Sequence, residues 1–296
     1  MLLSYGQLLD YDIPEVRQSY TARDAQLYAL SVGVGQDPMD ADDLRYIDER
    51  YGPLVLPSMS VVLGYPGFWL KTPGIGADTV RLLHGEQGVE LFEPLPPGGH
   101  VSGKTSVTEA VDKGDKGLLL YSEKRLTDLD TGRLLARTFA THVLRGDGGM
   151  PGAPTQARPA HRIPSRPADG RVRISTRPEQ ALLYRLNGDY NPLHSDPEIA
   201  RKAGYERPIL HGLCTFGVVA QALRKILSSQ GLGELRTLSL RFSAAVVPGE
   251  TLELDIWNDG SVRGRVLERD VVAIDNGCWE PFPAADPATR SQPRPR

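Results

Sequence analysis

A chain of 296 residues that is 40% hydrophobic and 24% charged is long enough for two ordinary domains with substantial cores. Its formal net charge of -3 argues against a nucleic-acid-coating surface, and no apolar run approaches the ~18 residues needed to span a bilayer. Two cysteines make no disulfide framework, the N-terminal MLLSYGQLLDYD has no basic stretch followed by a long apolar run, and the C-terminal RSQPRPR is not an S-K-L address, so the chain reads as cytoplasmic.

Taken in chain order, the first half shows DAQLYAL (Asp24 to Leu30), then Gly33 and Gly35, which lack the G-x-G-x-x-G spacing of a dinucleotide site. A segment after Leu56-Pro57-Ser58 starts as a helix but soon meets Gly64, Pro66 and Gly67, then Pro73-Gly74. Proline inside a helix costs ~3 kcal/mol or more, so this helix must be short and should leave an apolar cleft against its sheet. Leu83-His84-Gly85 places His84 at a strand end or on the surface. After Pro97-Gly98 come three β-rich segments, separated by turns at Asp112 to Gly117 and Asp130 to Gly132. Residues 146 to 168, with five prolines and four glycines, have the composition of an irregular linker.

The second half repeats this grammar. QALLYRL (Gln180 to Leu186) aligns with DAQLYAL, Pro248-Gly249 with Pro97-Gly98, and three further β-rich segments follow, with turns at Asp259-Gly260 and Glu268 to Asp270. Between them lies a loop whose turn dipeptides, Asn187-Gly188 and Asn191-Pro192, carry Asp189 and His194 five residues apart. Ser195-Asp196-Pro197-Glu198 reads as a helix start and Gly204 as its end. A second helix opens near Gly212, with Leu213, Phe216, Ala220, Leu223 and Leu227 at helical spacing. Its first amides lack intrahelical partners and sit at the positive end of the dipole, where a developing oxyanion could be held, and Gly212 allows close approach. Without gaps, the alignment sets Gly33 opposite Asp189 and Pro38 opposite His194, so only the second half has both an acid and a base. Long helix first, then antiparallel meander, is an α+β plan with a sheet wrapped on one helix, present twice. The tail from Pro283 is rich in proline and polar residues and should be dispensable.

The run GDYNPLHSDPEIARKAGYERPILHGLCTFG resembles the signature of the MaoC-like (R)-specific enoyl-CoA hydratases, whose G-D-x-N-P-L-H carries the catalytic Asp and His. RFSAAVVPGETLEL (Arg241 to Leu254) is similar to the strand and turn after that family's central helix, and the likeness extends over roughly residues 5 to 280. The chain departs from the pattern at Asn187, where the family has Ser. The resemblance implies a double hotdog: a non-catalytic hotdog over 1–145 that accommodates acyl chain and CoA, a linker over 146–168, a catalytic hotdog over 169–282, and a flexible tail over 283–296. It also implies a homodimer, and the reversible hydration of trans-2-enoyl-CoA to (3R)-3-hydroxyacyl-CoA used in fatty-acid β-oxidation.

In that reaction Asp189 and His194 share one water, the Gly212 amide stabilises the enolate-like oxygen, and no metal or redox cofactor is needed because the thioester already polarises the alkene. CoA is the substrate's handle. Asn191 is expected to fix the loop through backbone bonds, His211 to satisfy the helix start, and Cys214 to be a buried thiol. Arg241 faces a phosphate or a neighbouring carboxylate; the residues do not choose. A dehydratase acting on a steroid or polyketide acyl intermediate is the alternative within the fold, and a non-catalytic acyl-CoA-binding protein the alternative outside catalysis. The broken first helix favours medium, long or bulky acyl chains.

Overall fold

The computed structural model describes residues 2–283. The first half runs α1 (Tyr5–Leu9), β1 (Val16–Tyr20), α2 (Ala22–Ser31), α3 (Ala41–Ile47), a 3₁₀ turn (Pro57–Val61), β2 (Leu82–Leu91), β3 (Gly99–Asp112), β4 (Leu118–Asp128) and β5 (Leu134–Leu144). The second runs β6 (Gly170–Ser175), α4 (Gln180–Tyr184), α5 (Pro197–Lys202), α6 (Gly212–Gln230), β7 (Leu235–Phe242), β8 (Thr251–Ile256), β9 (Ser261–Val266) and β10 (Val271–Pro281).

Each half supplies five strands, and the two sets join edge to edge into one ten-stranded sheet of order β1-β3-β4-β5-β2-β7-β10-β9-β8-β6. Every described pairing is antiparallel. The seam pairs β2 with β7 from Glu86 opposite Arg241 to Glu90 opposite Thr237. Glu90 ties it further, accepting from Arg137 at 2.6 Å and from Arg236 at 3.1 Å. Arg241 stands opposite Glu86 on one side and Asp275 on the other, so its register neighbours are carboxylates. Pairing that would join two separate hotdogs is thus made within one chain.

The main core is continuous across the seam: Leu56, Met59 and Val89 of the first half pack in one cluster with Phe216, Leu223 and Leu238 of the second. At the heart of it lies α6, buried along most of its length and ended by Gly231 in the left-handed region. Gly217 lets α2 approach: a Cβ there would sit 2.5 Å from Val32 and 3.0 Å from the Tyr28 hydroxyl. The wide apolar face read from Leu213 to Leu227 fits this burial, because core contacts reach the helix from both halves.

The charged end of α6 is held by the first half. Arg224 is 5% exposed and Asp43 1%, and they pair at 2.6 Å. Lys225 Nζ adds Asp43 at 3.0 Å and Asp40 at 2.7 Å, and the Arg224 guanidinium lies 4.4 Å from the Tyr46 ring centroid.

The short helix of the first half is a single 3₁₀ turn, Pro57–Val61, with all five residues buried. Its carbonyl end is capped by Lys124 of β4, whose ammonium donates to the Ser60, Val61 and Leu63 carbonyls. Burial alone pulls this lysine down to about 7. Beyond the turn, Trp69, Leu70 and Ile75 pack with Val107, Leu118 and Leu120 into a second cluster. The expected cleft between sheet and shortened helix is therefore occupied here by Lys124 and the loop to Ile75, because the chain that failed to extend the helix folds back onto the sheet.

The linker is an ordered strap. Arg158 bonds Glu109 at 2.8 Å and lies 4.3 Å over Tyr121, and His161 meets Ser261 at 2.8 Å while its carbonyl accepts from Asn276 at 2.7 Å. It crosses from the first half's strands to the second's. The tail expectation falls, from residue 284 onward, outside the described residues.

Candidate active site

The loop between α4 and α6 is shaped by its own backbone chemistry. Gly188 takes φ 108°, which frees the chain to turn before Asp189. An Asp189 carboxylate oxygen accepts from the Asn191 amide at 3.2 Å, an Asx turn. Asn191 accepts in turn from Leu193 at 3.2 Å, starting the 3₁₀ turn Pro192–His194 as expected of a loop-fixing residue. Asp196 caps α5, with Pro197 in its first turn, and Gly204 follows its end at φ 89°.

His194 is 8% exposed, and its Nδ1 donates to the Ile209 carbonyl at 2.9 Å. A carbonyl can only accept, so the proton sits on Nδ1 and Nε2 keeps a free lone pair. Burial lowers this imidazole below its ordinary value, opposed by the Ile209 bond and the charge of Asp189. Nitrogens of His194 and His211 and a carboxylate oxygen of Asp189 lie within 4.8 Å of one another, close enough to share one water. They suit a metal poorly: the two rings stack at 3.8 Å and 27°, so their in-plane lone pairs run side by side and do not converge.

His211 corrects one expectation. It occupies the N-cap position of α6, but its side chain makes no capping bond. Instead Nε2 donates to the Asp189 carbonyl at 3.2 Å, its ring stacks on His194, and Tyr184 lies 5.0 Å away on another side. Burial, then the neighbouring His194, bring its pKa to about 4. This neutral imidazole pins the backbone of the acid and the ring of the base together. Cys214 is the expected buried thiol, donating to the Ser31 carbonyl at 3.6 Å, with burial holding it in the thiol form.

Gly212 is the first residue of α6, and a Cβ there would meet the Phe242 ring at 3.5 Å. The N-terminus of α6 thus opens beside an aromatic wall. His84 extends that wall. It lies near the start of β2, the strand end expected, but half-buried: it packs edge-on to Phe242 at 5.3 Å and stacks on His142 at 5.0 Å, next to the bulge between His84 and Glu86. Burial brings His84 to about 4 and His142 to about 3. Tyr65, also from the first half, feels the charge of Asp189. Nothing local in the sequence marks either residue. Two surface hollows, about 460 Å³ by Leu3 and Tyr11 and about 680 Å³ by Arg166 and Trp257, include neither Asp189 nor His194.

The buried histidines carry a stability prediction. Their folded pKa values lie below the ordinary 6.5, so the unfolded chain binds protons more readily as pH falls. Their contribution is whole above pH 6.5 and is lost progressively as pH falls toward 4. The thermal midpoint should drop across that window, and H142Q should shallow the drop; an unchanged slope in that variant would refute it.

Comparison with known proteins agrees with the geometry. Residues 159–277 match the model of the MaoC like domain, and residues 18–146 match that of the MFE-2 hydratase 2 N-terminal domain. The chain is 40% identical over 268 residues to an enoyl-CoA hydratase 2, peroxisomal, of Arabidopsis thaliana, covering 86% of each. The chain belongs to the MaoC-like hydratase family. Another member, 3-hydroxyacyl-thioester dehydratase Y of Mycobacterium tuberculosis, is 40% identical over 88% of each chain. A MaoC-like dehydratase structure from Phytophthora capsici superposes with TM-score 0.80 at 32% identity, covering 94% of this chain and 99% of that one. The MaoC-like fold here is the double hotdog, and the chain is an enzyme of that family. Among the described residues no helix is long and apolar enough to cross a membrane.

Proposed function

We propose that this enzyme adds water reversibly across trans-2-enoyl-CoA to give (3R)-3-hydroxyacyl-CoA, with Asp189 and His194 as the acid-base pair. The observation that carries the assignment is their placement: a carboxylate oxygen and an imidazole nitrogen within 4.8 Å, on a loop pinned by His211 next to the start of α6. One water between them gives up a proton as its oxygen bonds Cβ, and the pair returns a proton to Cα on the same face. The Gly212 amide at the helix N-terminus stabilises negative charge on the thioester oxygen. Orientation and charge stabilisation suffice for the step, so no cofactor enters it. We place the enzyme in the cytoplasm.

Incubation with a panel of enoyl-CoA thioesters, following loss of conjugated absorbance, tests the activity. Stereochemistry is tested by coupling to dehydrogenases of opposite specificity: the (3R)-specific enzyme should reduce nicotinamide and the (3S)-specific one should not. Signal only from the latter would reverse the assignment of faces. The kcat/KM profile should hold through neutral pH and fall in acid, below 6.5, as His194 takes up the proton that removes its free lone pair. A rate that rises as pH falls below 6.5 would exclude His194 as base.

A further inference from the structure

The first half lacks an acid and a base, yet one of its residues receives three side chains of the second half. Ser31 ends α2 and is wholly buried. Its carbonyl accepts from Gln180 Nε2 at 3.2 Å and from Cys214 Sγ at 3.6 Å, and its hydroxyl oxygen accepts from Asn187 Nδ2 at 2.9 Å. The hydroxyl hydrogen is engaged by the Tyr28 carbonyl at 2.7 Å, one turn back along α2, which leaves the oxygen free to accept and fixes its direction. The start of α4, the end of the turn that follows it, and α6 thus converge on one buried residue of the other half.

Asn187 stands just before the Gly188 turn that leads into the acid. Its amide nitrogen also donates to the Tyr184 carbonyl at the end of α4, at 2.9 Å, so both of its hydrogens are engaged. Gly188 follows at φ 108°, and beyond it His211 Nε2 holds the Asp189 carbonyl at 3.2 Å. The segment 187–189 is therefore fixed at both ends, and its entry is held by the first half. The alignment that sets Gly33 opposite Asp189 also sets Ser31 opposite Asn187 and Tyr28 opposite Tyr184, and those two tyrosine rings lie 6.2 Å apart. Equivalent positions of the two halves meet each other here. The second-half member is the position at which the chain departs from the family signature, and the departure changes reach: an asparagine amide stands one bond further from the backbone than a serine hydroxyl and carries two hydrogens for two acceptors.

We propose that Asn187 is a positioning residue for the acid: through Ser31 the first half fixes the entry of the 187–189 segment, and with it the point at which the Asp189 carboxylate meets the reacting water. The proposal rests on Asp189 and His194 as the reacting pair. Because Asn187 acts through Asp189, its effect falls on the geometry of the chemical step and not on the hold on CoA. Misplacing a reacting group by about 1 Å costs on the order of 10²-fold in rate, which sets the scale of the effect.

The test is a double-variant cycle read with trans-2-butenoyl-CoA. Asn187→Ala loses both bonds and should lower kcat by roughly 10–100-fold, Ser31→Ala loses one and should lower it by about fivefold or more, and KM should stay within about twofold of wild type in each. The double variant should be little slower than Asn187→Ala, since both changes remove the same contact. Asn187→Ser keeps a polar group but falls short of Ser31, so it should match Ser31→Ala. Circular dichroism establishes that each variant is folded, and the Ser variant decides the question if Asn187→Ala unfolds. A kcat within about twofold of wild type in the folded Asn187 variants would overturn the proposal, as would losses that multiply in the double variant or a loss carried by KM alone. Asp189→Asn run alongside separates the two failures. If that variant keeps wild-type turnover, the acid-base assignment falls and this inference with it; if it is inactive while the Asn187 and Ser31 variants turn over normally, only the positioning role is wrong.

Discussion

Asp189→Asn and His194→Ala should each lower kcat by about 10²–10⁴-fold, with thermal stability and CoA affinity close to wild type. The stated geometry makes the two changes act on one event. Asp189→Asn keeps the Asx turn to Asn191, since an amide oxygen can still accept there, but cannot take a proton from water. His194→Ala removes the free Nε2 and leaves the Ile209 carbonyl without its donor. Because both groups serve the same water, the double variant should be little slower than the worse single one. Multiplicative losses would mean that the two act in separate steps, and near-wild-type turnover in either single variant would remove the mechanism. His211→Gln offers a contrast: it can still donate to the Asp189 carbonyl, so its loss should be smaller and felt as loosened positioning.

The second large effect is on stability. Removing Asp43 takes from Arg224 its fully buried partner and leaves it only the partly exposed Asp42, and breaking a buried pair typically costs 3–5 kcal/mol. Asp43→Ala should therefore lower the unfolding free energy by about that much, read from the urea midpoint at unchanged slope. Asp43 also accepts from the Gly35 amide at 2.9 Å, so the loss reaches the turn that follows α2. Replacing Arg224 and Asp43 together by apolar residues should recover part of the cost, since an uncompensated charge is worse than none. A single-variant cost below about 1 kcal/mol would show that solvent reaches the cluster.

What the sequence disclosed divides along physical lines. The loop from Asn187 to Gly204 was legible because its determinants are local: turn dipeptides, an Asx turn, an N-cap aspartate and a proline in the first helical turn act within a few residues of themselves. Likewise α6 declared itself through period and length, and the duplication through repeated turn chemistry. His211 was misjudged because a side chain at a helix start has two options, its own helix or the loop packed against it, and only the tertiary arrangement decides. His84 and Tyr65 were missed for a related reason. Their neighbours lie across the β2–β7 seam or more than a hundred residues on, beyond the reach of any local pattern. Lys124 sits in the run Glu123-Lys124-Arg125, which reads as solvated surface, yet it is 4% exposed.

The amine cap on the broken helix has a consequence for how many reactions one chain can host. A second centre would need a thioester to reach the start of that helix, but Pro57 through Val61 are wholly interior. Grafting an acid at Gly33 and an imidazole at Pro38 would thus equip a face that no substrate can approach. The molecule behaves as a tethered pair in which one member has exchanged its own chemistry for structural service to the other, and titration with a tight-binding substrate analogue should count one equivalent per polypeptide.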